Sequence, residues 1–310
     1  MDAEMRYIYT IYRAGSFSAA AKELYLTQPA LSIAVAKAEE KIGMPLFDRT
    51  KRPLSLTAAG EVYIQKYREI QSLEQELSRQ LGDIAGCKTG ELRIGGTHYL
   101  IAHILPPVLT AFSEKYPDIR LQITEADAVS LLRMLETDDI DLTFSCEETE
   151  HDTFRRSPCF RDHLLLAVPT SKVLPAALSY AALSPEQIRR GRHLEADCPE
   201  VSLTDFRDLP FLLMTPGNDL HRRSTAMFRE AGISPEIRLM TGQLATIWHL
   251  TEAGMGASFI ADRLVPPYEA PVSFFRIRSA HTTRLFYLMT SERRYLSHAA
   301  RAFGEMLPTI

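Results

Sequence analysis

Apolar residues recur at helical spacing through the first sixty positions and again along a longer stretch that follows. Met5, Ile8, Tyr9 and Tyr12 predict an amphipathic helix ended by Gly15-Ser16. A short second helix follows, capped by Ser18 and closed by Leu24. Its small residues Ala19, Ala20 and Ala21 let a neighbouring helix approach closely, and Tyr25-Leu26 form the tight connection. Thr27 caps a third helix, which turns Leu31, Val35, Ala38 and Ile42 inward and leaves Gln28, Ser32, Ile33, Ala36 and Lys37 facing out. Gly43-Met44-Pro45 ends it. The alternation in Leu54-Ser55-Leu56-Thr57 predicts a short hairpin over residues 47–57, a wing with Arg49, Lys51 and Arg52 near its tip. Thr57 then caps a helix running to about Ile84. Along it Tyr63, Ile70, Leu77 and Ile84 recur every seven residues, joined by Tyr67 and Leu81, with Glu74 interrupting the seam and Leu73 beside it. A helix this long with such a seam calls for a partner helix.

Gly86-Cys87-Lys88-Thr89-Gly90 is the candidate hinge, since a strand, Glu91 to Gly95, starts at once. Strand and helix then alternate. Strands are expected over Ile119–Glu125, Asp141–Ser145, His163–Val168, Phe211–Met214, Glu236–Met240, Ala257–Ile260, Val272–Ile277 and Arg284–Met289. Helices are expected over Tyr99–Lys115, broken or kinked at Pro106-Pro107, and over Val129–Glu136, His221–Ala231, Leu244–Ala253 and Tyr295–Met306. This alternation predicts parallel sheets with helices on both faces and ligands beyond the carboxyl ends of the strands. Residues 171–204 read as an insertion with a short helix, and the basic run Arg189, Arg190, Arg192 as a solvated face.

Length and composition sharpen this picture. With 310 residues and 45% hydrophobic content the chain can bury several cores, which favours two or three domains. No apolar run approaches a membrane span, and the first ten residues lack signal-peptide character, so the cytosol is expected and a membrane partner is not. The whole chain carries −4, yet residues 1–58 hold eight cations against six carboxylates, a mild basic bias in the segment with the wing. Cys87, Cys146, Cys159 and Cys198 show no zinc or disulfide spacing and are expected as reduced thiols. All nine histidines fall from His98 onward, none in a metal-binding sequence pattern, so neither metal nor cofactor is expected.

The motifs in this order resemble the LysR-type transcriptional regulators over essentially the whole length. The matching residues are Ala20-Ala21, Leu24, Thr27 to Ser32, Glu39-Glu40, Gly43-Met44-Pro45-Leu46-Phe47-Asp48-Arg49 and Leu56-Thr57-Ala58-Ala59-Gly60, with Leu105-Pro106-Pro107 and Ala253-Gly254-Met255-Gly256 further on. The resemblance implies an α/β protein with an N-terminal winged helix-turn-helix, a dimerising linker helix, and an effector domain of two doubly wound lobes like a type 2 periplasmic binding protein. The expected divisions are 1–57 for DNA binding, 58–88 for linker and hinge, and 89–310 for the effector domain. Within the last, one lobe is expected at about 89–166 and 266–310 and the other at about 167–265.

Candidate DNA-binding residues are Thr27, Gln28, Pro29, Ser32, Ile33, Lys37, Arg49, Lys51 and Arg52. Ile33 and Ala36 stand where relatives place Arg or a polar residue, which predicts fewer phosphate contacts and more reliance on the wing and on dimer avidity. Gln28 can pair with an adenine edge and Ile33 can touch a thymine methyl, whereas the wing cations suit phosphate or minor groove. Candidate effector residues are Thr97, His98 and Tyr99 after the first strand, Ser145 at the end of another, Thr215 and Asn218 after a third, and Gln243, where the family's second-lobe helix begins. Amides at helix starts favour an organic anion there. The expected partners are promoter DNA, a small-molecule effector, a second copy of the chain with dimers pairing into a tetramer, and RNA polymerase. The competing reading is an α/β enzyme or small-molecule receptor that uses the N-terminal helices only to dimerise. No Walker loop, no GxSxG elbow and no metal-ligand cluster supports it, and Gly95-Gly96 is too short for a dinucleotide fingerprint.

Overall fold

A computed structural model of the protein describes residues 3–51, 53–84, 90–147 and 153–308. Chain contacts divide it into two units, Met1–Leu81 and Gly82–Ile310. No helix among the described residues is long and apolar enough to cross a membrane.

The first unit contains α1 (Ala3–Ala14), α2 (Phe17–Glu23), α3 (Gln28–Ile42), the two-residue strands β1 (Phe47–Asp48) and β2 (Ser55–Leu56), and most of α4 (Ala58–Ile84). Its core joins Ile8 and Ile11 of α1, Ala20 and Ala21 of α2, Leu31, Val35 and Ala38 of α3, and Leu46, Phe47 and Ile64. Ser16, not Ser18, caps α2, accepting from Ala19 N at 3.2 Å. The helix starts two residues earlier than a Ser18 cap would place it, and Phe17, its first residue, packs edge-on against Phe47, 5.7 Å between centroids. Tyr25, in the connection to α3, sits at a left-handed φ of 55° and is 96% exposed.

The expected heptad seam on α4 changes character along its length. Ile64 and Tyr67 are buried within the first unit, Tyr67 against Tyr9 with centroids 4.9 Å apart. Beyond them Ile70, Leu73, Leu77, Leu81 and Ile84 are all exposed, Leu77 by 58%. The early half of α4 therefore covers its own chain, and the later half carries an uncovered apolar stripe. The candidate hinge, Gly90 apart, lies outside the described residues, as does Cys87.

The second unit continues with β3 (Gly90–Gly96), a π-helical turn Leu100–Ile104, α5 (Pro106–Lys115), β4 (Ile119–Glu125), α6 (Ala128–Glu136), β5 (Leu142–Ser145) and β6 (Phe154–Pro169). After these come α7 (Pro185–Arg189), β7 (Glu200–Val201), β8 (Phe211–Met214), α8 (Asp219–Glu230), β9 (Ile237–Thr241), α9 (Leu244–Glu252), β10 (Ala257–Ala261), β11 (Val272–Ile277), β12 (Thr283–Ser291) and α10 (His298–Met306). Pro106 opens α5 after the π turn, so the break expected at the proline pair falls between two helical segments. Strand order is β4-β3-β5-β12-β6-β10-β8-β9, with β11 beside β6. The outer groups are parallel as predicted, but the centre is not: β6 runs antiparallel to β12, β10 and β11, and β12 antiparallel to β5.

β6 is longer than the His163–Val168 segment expected and serves both halves of the sheet. Phe154–His163 pair with β12, Leu164–Ala167 with β10, and Leu166–Pro169 with β11. Its first half is mostly exposed or half-buried and carries several arginines, which hid it in the sequence. Val272–Ile277, expected with the first lobe, pairs instead with the far half of β6 and with β7, so the return to the first half comes after Ile277. In the 171–204 segment the cations are largely neutralised: Arg190 pairs with Glu186, and Arg192 with Glu195 and Asp197.

Candidate functional site

In the first unit, α3 presents its outer face from a fixed start. Thr27 is extended and accepts from Ala30 N at 3.4 Å, and Pro29 sits in the first turn, where no amide donor is needed. Gln28, Pro29, Ile33 and Lys37 are exposed and Ser32 is half-buried. The wing is anchored to α3 by Glu39. Its Oε1 accepts from Leu46 N at 2.8 Å and Phe47 N at 3.3 Å, and its Oε2 accepts from Arg49 Nη2 at 2.9 Å. Arg49 also lies over the Phe17 ring, 5.2 Å from its centroid.

Thr57 Oγ1 donates to Pro45 O at 2.6 Å and accepts from Gly60 N at 3.0 Å. A Cβ at Gly60 would stand 2.0 Å from Leu46 O, so only glycine lets α4 pass the loop so closely. Much of the motif in residues 39–60 is thus architecture that sets the wing. As a result Gln28 and Ser32 of α3 and Arg49, Lys51, Pro53 and Leu54 of the wing line one groove with Gly15, Ser16 and Phe17. Lys51 is 3.6 Å from Asp48 and keeps most of its side chain in solvent. Arg52 lies outside the described residues.

In the second unit, Thr97, His98, Tyr99, Ser145, Thr215, Asn218 and Gln243 all line one cavity of about 630 Å³. They meet there because the carboxyl ends of β3, β5, β8 and β9 open on the same crevice. Gly95 and Gly96 bring β3 close: a Cβ on Gly95 would be 2.5 Å from Ile140 Cδ1. The starts of α6, α8 and α9 border the cavity. Asp127 caps α6 by accepting from Ser130 N at 2.9 Å, and Asn218 caps α8 by accepting from Leu220 N at 2.8 Å. Gln243 precedes α9 without a side-chain cap, so the first amides of that helix are not engaged by it. Tyr99 is buried, its hydroxyl donating to Asp162 Oδ2 at 2.8 Å, which makes it a wall of the cavity more than a free contact. His98 Nδ1 lies 3.2 Å from Glu125 Oε2 at the rim. Ser145 Oγ accepts from Glu147 N at 3.2 Å.

Sequence reasoning missed the charged floor. Arg284 lines the cavity and gives Nε and Nη2 to Asp162 at 2.8 and 2.6 Å, and Asp162 is fully buried. Burial would weaken the guanidinium's hold on its proton, but Asp162 and its neighbours raise that hold above the ordinary value. Burial, with Asp162 adding to it, also drives the Tyr99 phenol upward. Burial, with the Asp219 carboxylate adding to it, pushes the thiol of Cys146, beside Ser145, up to about 12. Asp219 is itself held below the usual carboxylate range: burial opposes this, and Arg223, Arg284, Cys146 and Arg222 outweigh it. No local signal marked this floor: Asp162 sits between Arg161 and His163, and Arg284 follows Thr282-Thr283 at the start of an apolar run. The carboxylates Glu125, Asp127, Glu147 and Asp219 line the same cavity as Arg284 and His98, so its lining is rich in acids as well as in helix starts.

Two family descriptions fit the chain. Residues 3–61 match the bacterial regulatory helix-turn-helix protein of the lysR family, and residues 85–309 match the LysR substrate binding domain. Among curated relatives, the uncharacterized HTH-type transcriptional regulator YcgK of Bacillus subtilis is 28% identical over 302 residues, 97% of this chain and 92% of that one. The HTH-type transcriptional regulator CfxR of Cupriavidus necator is 29% identical over 262 residues, 83% of this chain and 74% of that one. The fold is similar to that of full-length CbnR, a structure solved in complex with its target DNA, with a TM-score of 0.67, 22% identity and 99% of each chain covered. With a winged helix-turn-helix at its start and an α/β substrate-binding domain over the rest, the chain belongs to the LysR family and is a DNA-binding transcriptional regulator, not an enzyme.

Proposed function

We propose that this regulator reads promoter DNA with the outer face of α3 in the major groove and the wing on the flanking backbone, under control of a small molecule held in the 630 Å³ cavity. The observation that carries this is the common groove formed by Gln28 and Ser32 of α3 with Arg49 and Lys51 of the wing. Gln28 and Ser32 touch base edges, Ile33 a thymine methyl, and Thr27 and Pro29 the backbone beside the helix start. Lys37, Arg49, Lys51 and Arg52 neutralise phosphate. The exposed stripe on α4 pairs two chains, dimers pair into a tetramer, and the readers meet half-sites about one helical turn or a multiple apart. Residues 1–57 are the reading domain, 58–88 the linker and 89–310 the effector domain. The protein works in the cytoplasm and delivers its signal to RNA polymerase.

For the effector, the uncapped start of α9 with Thr97 and Thr215 suits the carboxylate of an organic anion. The acids Glu125 and Asp219, which also line the cavity, favour a second reading, an amino acid whose ammonium meets one of them. Ligand that prefers one arrangement of the effector domain shifts how protomers pair and moves the readers along the DNA. The test is footprinting of promoter DNA with and without ligands found by thermal-shift screening of carboxylates and amino acids. A changed protection pattern supports the coupling, and an identical pattern with a proven ligand rejects it. Gln28→Ala and Ser32→Ala should each lower preference for the specific site by about 1–3 kcal/mol if they contribute good base contacts.

A further inference from the structure

Three side chains from distant parts of the second unit converge away from the effector cavity. His163 is the last residue of β6 paired with β12, directly before the strand passes to β10. Asp262 follows the end of β10, opposite that crossover, and His193 comes from the short turn Arg192–Leu194 in the 171–204 segment. His163 Nδ1 lies 3.3 Å and His193 Nε2 3.0 Å from the same oxygen, Asp262 Oδ2. The three potential ligand atoms all lie within 4.8 Å of one another.

We propose that His163, His193 and Asp262 form a binding site for a divalent transition cation of the zinc class. Four-coordinate zinc holds nitrogen and oxygen ligands at about 2.0–2.2 Å, which puts neighbouring ligands about 3.3–3.5 Å apart. Both measured nitrogen-to-oxygen distances fall close to that edge. Two imidazoles with one carboxylate is a donor set that suits zinc and its neighbours better than magnesium or calcium. A second observation points the same way. Asp262 Oδ1 is buried and has no hydrogen-bond partner among the described residues, so half of a buried carboxylate is left for a cation to satisfy. The buried His193 ring has no partner at Nδ1 among the described residues either, and its polar tie is the one aimed at Asp262. His163 retains partial solvent exposure, which leaves an entry path and room for a water as fourth ligand. A cation here would tie the crossover of β6 to the turn after β10 and to the 192–194 turn.

The experiment uses the full chain, dialysed against EDTA and titrated calorimetrically with ZnCl2, with CoCl2 as a spectroscopic probe. The expected result is one zinc per chain, a rise in melting temperature, and visible d–d absorption of low-coordinate cobalt. His163→Gln and Asp262→Asn should each weaken binding by more than about 100-fold, beyond what outer-sphere changes produce. His249→Gln, which alters the unrelated and exposed His249–Glu252 pair, should leave it unchanged. Far-UV circular dichroism of each metal-free variant verifies the fold, and wild-type competition with the chelator gives the affinity independently of the variants. Absence of stoichiometric binding, or binding unaffected by both His163→Gln and Asp262→Asn, overturns the proposal. Neither outcome depends on DNA or effector binding.

Discussion

Asp162 and Arg284 show how a single pair can organise a site. Both are buried, and the guanidinium fork closes on the carboxylate while Tyr99 donates to the same group, so the cavity floor is preorganised before any ligand enters. Removing one partner leaves a buried charge uncompensated, and Asp162→Ala should destabilise the protein by about 3–5 kcal/mol, measurable by urea unfolding. Asp219 adds a pH dependence. Its folded pKa is depressed, so its stabilising contribution is present above the unfolded carboxylate value and is lost as pH falls through the folded one. Asp219→Asn should therefore flatten the acid limb of a stability-against-pH curve below about pH 4. Cys146, with its thiol pushed up to about 12, should alkylate far more slowly at pH 8 than a denatured control, as peptide mass spectrometry of the labelled chain would show. At Gly60 the limit is steric: Gly60→Ala drives a methyl into Leu46 O and should lower stability by about 1–3 kcal/mol, read as a fall in melting temperature.

Among the elements, α4 performs two tasks along one face. Its first turns bury Ile64 and Tyr67 against the winged domain, and its later turns leave Leu73, Leu77 and Leu81 in solvent. Replacing Leu77 and Leu81 together with Gln should shift sedimentation velocity toward monomer without lowering helix content, because no intrachain packing is lost. Unchanged assembly would place the interface elsewhere. The same helix shows where sequence was legible. Heptad spacing located the stripe, and the caps at Thr27 and Thr57 located two helix starts, because these signals are local. The first half of β6 and the placement of β11 escaped, since strand pairing is decided by partners over a hundred residues away. Ser16, not Ser18, caps α2, and Phe17, the first residue of that helix, packs against the core of the first unit. Six of the seven candidate cavity residues were read from their positions at or after strand ends and Gln243 from the family resemblance, whereas Arg284, Asp219 and Cys146 were not read at all, their convergence being a product of the folded sheet.

On the scale of the molecule, a family assignment covering both units explains why motifs spread over residues 20–60 and 253–256 occur in one chain. Glu39, Thr57 and Gly60 hold the wing against α3, and Arg49 is itself fixed there by Glu39 and the Phe17 ring. With Ile33 and Ala36 on the reading face, affinity should depend on salt less steeply than in a reader with cations at those positions. The central claim is that the exposed face of α3 discriminates base sequence, and fluorescence anisotropy tests it most directly. The full chain is titrated into a labelled fragment of its own promoter and into a random duplex across a salt series, for the wild type and for Gln28→Ala with Ser32→Ala. The account predicts tighter binding to the promoter, and loss of that preference in the double variant with non-specific binding and salt slope retained. Equal affinity of the wild type for both duplexes, or an undiminished preference in the double variant, would contradict it.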